Sequence, residues 1–295
     1  MVIYHIMQKT KRSPEIDAKI IAMYLGGKDT YQVAEEYSCS QTFVVNTLKR
    51  HNIPRRPTHH YTTKYITNEK FFNTVDSEEK AYILGFLYAD GNNYVRGTHS
   101  YEVSIALEEG DRSILDRIKN LLSPTSELKF IDYSHKNWKN QYLLKINSKT
   151  LTQQLTKLGC IPVKSLALTW PEWLIDPKLR QHFIRGYFDG DGSFYARKPD
   201  RNGRIDYGWQ VTSTNDFCNE VKRHIENTVN IHCSINLTHP KTNQITTTLS
   251  VGGNLQVRKV LDWLYKDATI FLPRKYDKYQ KFLNGENISA VSSNL

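Results

Sequence analysis

The chain has 295 residues, 39% hydrophobic and 12% aromatic, with 40 Lys and Arg against 30 Asp and Glu for a net charge of +10. That length gives a prior of about two domains with enough apolar material for real cores, which excludes wholesale disorder. No apolar run approaches the roughly 18 residues of a membrane span, Met1 to Met7 lacks a signal peptide's basic lead and cleavage site, and the four scattered cysteines form neither a C-x-x-C pair nor a zinc set. A soluble protein of a reducing, cytoplasmic compartment is therefore expected; a bacterial or phage-encoded chain is the first expectation, with an organellar origin left open. The basic excess points to a polyanionic partner, because Lys and Arg that neutralise phosphates release counterions.

The first segment, residues 1–51, reads as a small helical domain. Pro14 to Leu25 forms a helix with Ile16, Ile20 and Ile21 inward, and Gly26-Gly27 ends it. Asp29 or Thr30 caps a second helix running through Tyr37, Ser38-Cys39-Ser40 turns, and Gln41 to His51 is a third. This is a helix-turn-helix pattern, with Ser38 where many such turns place glycine. Val33, Ala34, Val44 and Leu48 hold the helices crossed, leaving Gln41, Thr42, Asn46, Lys49 and Arg50 to reach bases and phosphates. Residues 52–75 read as a linker, kept extended at Pro54 and Pro57, whose Arg55 and Arg56 track phosphates.

Beyond the linker the chain repeats itself. Asp76 or Ser77 caps a helix containing Ile83 to Gly91 (ILGFLYADG), and Asp176-Pro177 starts another containing Ile184 to Gly192 (IRGYFDGDG), so that Asp90 and Asp191 lie 101 residues apart. Each is followed by two alternating segments (92–97 and 101–107; 193–199 and 206–213), a helix (112–122; 216–229), two more alternating segments (128–134 and 141–147; 233–239 and 245–251) and a last helix (149–158; 255–267). The fold class is α+β: tandem αββαββα repeats related by a pseudo-two-fold, each with a four-stranded antiparallel sheet. The halves run over 76–170 and 171–283, and 284–295 is a tail.

Gly85 with Ala89, and Gly186 with Gly190, let the two motif helices approach closely. Parallel packing then brings Asp90 and Asp191 together at the negative ends of two helix dipoles, where the like charges repel unless a cation intervenes. A divalent ion with hard oxygen ligands answers this, and such ions activate water in phosphodiester displacement. A D-G dipeptide after one helix is merely a stop before a turn; two copies at equivalent places argue for chemistry.

The two nonapeptides resemble the paired motifs of the LAGLIDADG homing endonucleases, over about residues 76–283. The resemblance implies a monomer that cuts double-stranded DNA at a long asymmetric target. It implies Mg²⁺, replaceable by Mn²⁺, at Asp90 and Asp191 with Gly91 and Gly192 beside them. Tyr88 departs from the acid usual two places earlier in that motif, which Asp189 keeps. A basic residue per half borders the catalytic pocket, here Lys164 and Lys275, while Trp170 and Trp173 read as core. The sheets of this family lie in the major groove, which makes readers of Gln141, Lys145, Tyr195, Arg197, Gln210, Thr212, Asn236, Thr238, Thr246 and Thr248. Lys198, Arg201 and Arg204 suit phosphates better than bases. An RNA-binding intron maturase and a non-cleaving DNA-binding regulator on the same scaffold remain the alternatives; retention of both motif acids argues against loss of cleavage. The ending Ser292 to Leu295 does not resemble that of an intein, so a free-standing or intron-encoded protein is expected.

Overall fold

A computed structural model describes residues 13–56, 65–96, 100–136, 138–162, 164, 167–197, 201, 203–238, 246–286 and 288. The chain divides into two units, Met1–Lys64 and Tyr65–Leu295.

The first unit holds α1 (Pro14–Leu25), α2 (Thr30–Glu36) and α3 (Gln41–Arg50). Its helix starts follow from local chemistry. Ser13 accepts from the Ile16 amide ahead of a proline at the first helical position, Asp29 and Gln32 close a capping box on α2, and Ser40 accepts from the Phe43 amide. Ile20, Tyr24, Val33, Ala34, Val44 and Leu48 form the core, with Ile16 and Ile21 only partly buried against it. Ser38 adopts φ 46°, so the turn does take the left-handed conformation for which glycine is suited, at a cost of about 1 kcal/mol.

The second unit runs α4 (Glu78–Ala89), β1 (Gly91–Arg96), β2 (Ser100–Glu108), α5 (Arg112–Leu122), β3 (Lys129–Ile131), β4 (Gln141–Ile146), α6 (Lys149–Lys157), then α7 (Pro177–Asp191), β5 (Ser193–Ala196), β6 (Tyr207–Ser213), α8 (Asn215–Val229), β7 (Ser234–Thr238), β8 (Thr246–Gly252), α9 (Asn254–Tyr265) and α10 (Pro273–Leu283). The two αββαββα repeats stand as expected, and both sheets are antiparallel with equivalent strand orders, β1-β2-β4-β3 and β5-β6-β8-β7. Two features differ from the sequence reading. A further helix, α10, follows the second repeat, and residues 65–75, read as linker, pack on the first half: Phe71 and Phe72 enter the core, and the Asn68 amide donates to Leu122 O at 2.8 Å. Two adjacent apolar rings outweigh the polar composition around them. Trp170 is core, whereas Trp173 is 39% exposed and donates its indole N–H to Leu158 O at 3.2 Å.

At the centre, α4 and α7 abut along their glycines. A Cβ on Gly85 would lie 2.0 Å from Phe183 O, and one on Gly186 would lie 2.0 Å from Tyr82 O. Tyr82 and Phe183 are themselves equivalent under the 101-residue offset, so the contact is two-fold symmetric down to the backbone atom. Residues Ala81 to Tyr88 are all buried, as befits a helix enclosed on every side. The sheets turn Val103, Ile105, Leu107, Leu144 and Ile146, or Trp209, Val211, Leu249 and Val251, toward the core. Their other faces are left for solvent or a partner.

Candidate active site

Parallel close packing of α4 and α7 delivers both motif aspartates to one mouth. The Asp90 carboxylate sits against α7: a Cβ on Gly190 would meet Asp90 Oδ2 at 3.3 Å and the Ala89 Cβ at 2.4 Å. Gly190 is therefore a space requirement, as the sequence suggested. Both aspartates are exposed. Desolvation by the surrounding chain nevertheless comes first and, with the Asp191 charge second, pushes the Asp90 carboxyl up to about 6, while nearby Lys275 and Lys164 oppose the rise. Asp191 is raised as well, by desolvation first, again against the pull of Lys164 and Lys275.

The two lysines occupy equivalent places. Lys164 Nζ donates to Gly91 O, and Lys275 Nζ donates to Gly192 O at 2.6 Å, each the carbonyl directly after a motif aspartate. Lys275 donates further to Phe188 O at 2.5 Å and lies 4.8 Å over the Phe188 ring. Burial lowers its ammonium to about 8, against the charges of Asp189, Asp90 and Asp191. Lys164 is only half-buried. Arg274, next to Lys275 in the chain, bonds both oxygens of Asp111, at 3.0 and 2.8 Å, and so clamps the start of α10 to the first half.

The donor set is two carboxylates, plus the Gly91 and Gly192 carbonyls that already receive ammonium hydrogens. Among the described residues no group of three His, Cys, Asp or Glu side chains converges to form a cage. Two hard oxygens facing an open mouth suit a divalent ion that completes its shell with water and a substrate oxygen, rather than a fully enclosed structural ion.

Beneath the mouth lies a buried polar group whose partners the sequence did not reveal. Asp189, fully buried, accepts from Tyr82 Oη at 2.8 Å, Tyr265 Oη at 2.5 Å and the Leu272 amide at 2.7 Å. Burial raises its carboxyl, against Lys275 and these three donors. Buried Arg185 pairs with Glu78 at 2.5 Å and donates to the carbonyls of Ile270 and Leu264 at 3.0 Å. The polar letters inside the second nonapeptide were the available signal, since a helix so enclosed has no reason to carry an arginine or a spare aspartate.

The anticipated nucleic-acid contacts divide. Strand register puts Gln141 and Lys145 on the outer face of the first sheet, and Tyr195, Gln210, Thr212, Asn236, Thr246 and Thr248 on that of the second, with exposed Arg197 just beyond β5. Lys145 is paired with Glu102 at 2.5 Å, and Thr212 bonds Thr248 at 2.9 Å. Thr238 pairs in register with Thr246. Arg201 and Arg204 are exposed, Arg204 with Asp206 at 3.2 Å; Lys198 and the side chain of Thr238 lie outside what is described. In the first unit Thr42, Asn46 and Lys49 form one exposed stripe on α3. Gln41 donates to Thr30 Oγ1 at 3.1 Å, and Arg50 pairs with buried Asp17 at 2.8 Å. Arg56 donates to the carbonyls of Tyr24, Gly27 and Lys28 at 2.5, 2.9 and 2.5 Å and stacks on Tyr24, and both Arg55 and Arg56 are exposed.

No family profile matches the sequence, and no curated protein is similar to it. Solved structures are. The meganuclease I-SmaMI bound to an uncleavable DNA with a TTCT central four superposes with a TM-score of 0.50 at 14% identity, covering 70% of this chain and 90% of that one. A double mutant of I-SmaMI gives 0.50 at 12% identity over 69% and 89%. The LAGLIDADG homing endonuclease I-GzeII in complex with its DNA target gives 0.47 at 13% identity over 69% and 88%. At such identities the likeness is one of architecture: this chain carries the two-sheet fold of the LAGLIDADG homing endonucleases.

Proposed function

We propose that the chain is a site-specific, monomeric double-stranded DNA endonuclease whose cleavage requires a divalent cation, Mg²⁺ with Mn²⁺ able to replace it. The observation that carries this reading is the meeting of Asp90 and Asp191 at one open mouth, with a lysine held at the same place beside each. When bound there, the cation supplies Lewis acidity and a water of lowered pKa. Asp90 and Asp191 bind it, which also relieves their mutual repulsion. Lys164 and Lys275, held by the glycine carbonyls, present fixed positive charge toward a phosphate in the mouth, where preorganised charge stabilises the transition state. The structural neighbours bound to DNA support the same reading.

The outer sheet faces supply base-reading groups for the major groove: Gln210 and Asn236 suit adenine, Arg197 and Lys145 guanine. The head adds affinity through Thr42, Asn46 and Lys49 on α3, with Arg55 available for phosphate. Gln41, Arg50 and Arg56 contribute instead to holding the head together. The test is to incubate the purified chain with a randomised duplex pool and Mg²⁺, and to sequence any ends. Recovery of one long asymmetric site, lost with EDTA and restored by Mn²⁺, supports the proposal. Tight duplex binding with no ends in either metal, or preferential binding of structured RNA, overturns it in favour of a regulator or a maturase.

A further inference from the structure

Each lysine of the mouth is carried by a chain segment that must first be moored to a motif helix, and the two moorings use different chemistry at the same motif position. In the second half, the Leu272 amide donates to Asp189 Oδ2 at 2.7 Å. Leu272 is the residue from which α10 starts, that helix has no side-chain cap of its own, and Lys275 lies in its first turn. A carboxylate set against a helix N-terminus fixes the amide directly and complements the dipole. Tyr82, from the first motif helix, and Tyr265, from α9, hold that carboxylate in place at 2.8 and 2.5 Å.

In the first half the equivalent motif residue is Tyr88. Its hydroxyl donates to Leu158 O at 2.6 Å, at the end of α6, six residues before Lys164. The fit is tight: a Cβ on Gly159, itself at φ 100°, would lie 2.0 Å from the Tyr88 hydroxyl. Trp173 donates to the same carbonyl. One mooring is thus a carboxylate receiving an amide, the other a phenol giving to a carbonyl.

We infer that Asp189 and Tyr88 are positioning residues, each setting the lysine of its own half, so that the two halves of the cleavage site are tuned separately. The inference rests on reading Lys164 and Lys275 as members of that site. Lys164 is held to the carbonyl after Asp90 and Lys275 to that after Asp191, so the two moorings act on the mouth from different sides.

Two measurements on the full chain test it. In the first, lysines are labelled with a small amine-reactive acetylating reagent and read by mass spectrometry, which needs no activity. In the wild type buried Lys275 should react many-fold more slowly than half-buried Lys164. Asp189→Asn, which keeps shape and one acceptor, and the milder Tyr265→Phe should each raise Lys275 labelling at least several-fold while leaving Lys164 unchanged; Tyr88→Phe should do the reverse. Labelling of Lys275 that stays slow in a folded Asp189→Asn, or that rises together with Lys164, overturns the inference.

In the second, duplex DNA labelled on either strand reports the nicking of each. Lys275→Met identifies the strand that depends on Lys275. Asp189→Asn should slow that same strand by about tenfold to a hundredfold, the loss expected of a displacement approaching 1 Å, and Tyr88→Phe the other strand. Equal slowing of both strands overturns it, because that is what general loosening predicts. Should the wild type cut neither strand, the nuclease reading fails, and the labelling pattern still decides whether the moorings set the lysines.

Discussion

The two halves of the second unit agree along their shared axis and diverge away from it. On the axis, Gly85 and Gly186 meet equivalent backbone atoms, Asp90 and Asp191 end equivalent helices, and Lys164 and Lys275 reach equivalent carbonyls. Off it, Leu84 corresponds to Arg185, and Tyr88 to Asp189. The outer faces differ too: the first sheet carries the Lys145–Glu102 pair, whereas the strands of the second offer hydroxyls and amides with no carboxylate. A close helix interface tolerates no added atom and holds symmetry, while a sheet face outside that interface is under no such constraint.

The largest effects should therefore be symmetric. Asp90→Asn and Asp191→Asn should each lower cleavage about a thousandfold, since losing a metal ligand forfeits about 4 kcal/mol of charge stabilisation. Binding to DNA should persist. A rate within tenfold of wild type for either variant, measured in Mg²⁺ on a mapped site, would break the equivalence and make the metal site one-sided.

Gly85→Ala and Gly186→Ala come next. Each new methyl would lie 2.0 Å from a carbonyl oxygen of the partner helix, so the helices must separate, at a cost of at least about 1 to 3 kcal/mol. The two melting temperatures should fall together, by several degrees. A drop confined to one variant would show that the helix contact is not two-fold symmetric in solution.

Much of this was legible in the chain itself. The duplication at 101 residues, the cap at Asp176 and the alternation of the long strands are local signals, and they placed most elements of both repeats to within a residue or two. The Asp189 node was not legible, because its partners Tyr265 and Leu272 come from 76 and 83 residues downstream and nothing local marks them. Charge alone does not reveal such partners either: Arg50 and Arg56 read as phosphate ligands by composition, and within the head they also meet Asp17 and three backbone carbonyls. Only three of seven residues expected in the strand at 128–134 pair, since Lys129 to Ile131 sit at a sheet edge where one neighbour suffices.

The repulsion in the mouth gives a smaller effect with a definite sign. Asp90 is raised from an ordinary 3.8 to about 6, so the native state holds that proton at pH values where the unfolded chain has released it. The contribution to stability is fully present below about pH 4 and is lost as pH rises through 6. In metal-free protein Asp90→Asn should then melt above wild type at pH 7.5, with the gap closing toward pH 4. Added Mg²⁺ should abolish the advantage. A gap that is flat in pH would mean that neither desolvation nor the Asp191 charge disfavours the Asp90 carboxylate.

The smallest effect should separate the two sheet faces by their salt dependence. If Glu102 holds Lys145 back from the duplex, Glu102→Gln should tighten binding and steepen the dependence of log affinity on log salt by about 1, because one more cation is free to displace counterions. Lys145→Ala should weaken binding and leave Glu102 facing the duplex unpaired. On the other sheet Thr248→Val, which removes the hydroxyl pair with Thr212, should cost about 1 kcal/mol for the preferred base alone and leave the salt slope where it was. Titrations at three salt concentrations are enough to tell these apart. A slope that moves as much for Thr248→Val as for Lys145→Ala would place charge in the reading of both half-sites and remove the distinction between the faces, whereas a slope unchanged by Glu102→Gln would show that Lys145 already reaches phosphate with its partner in place.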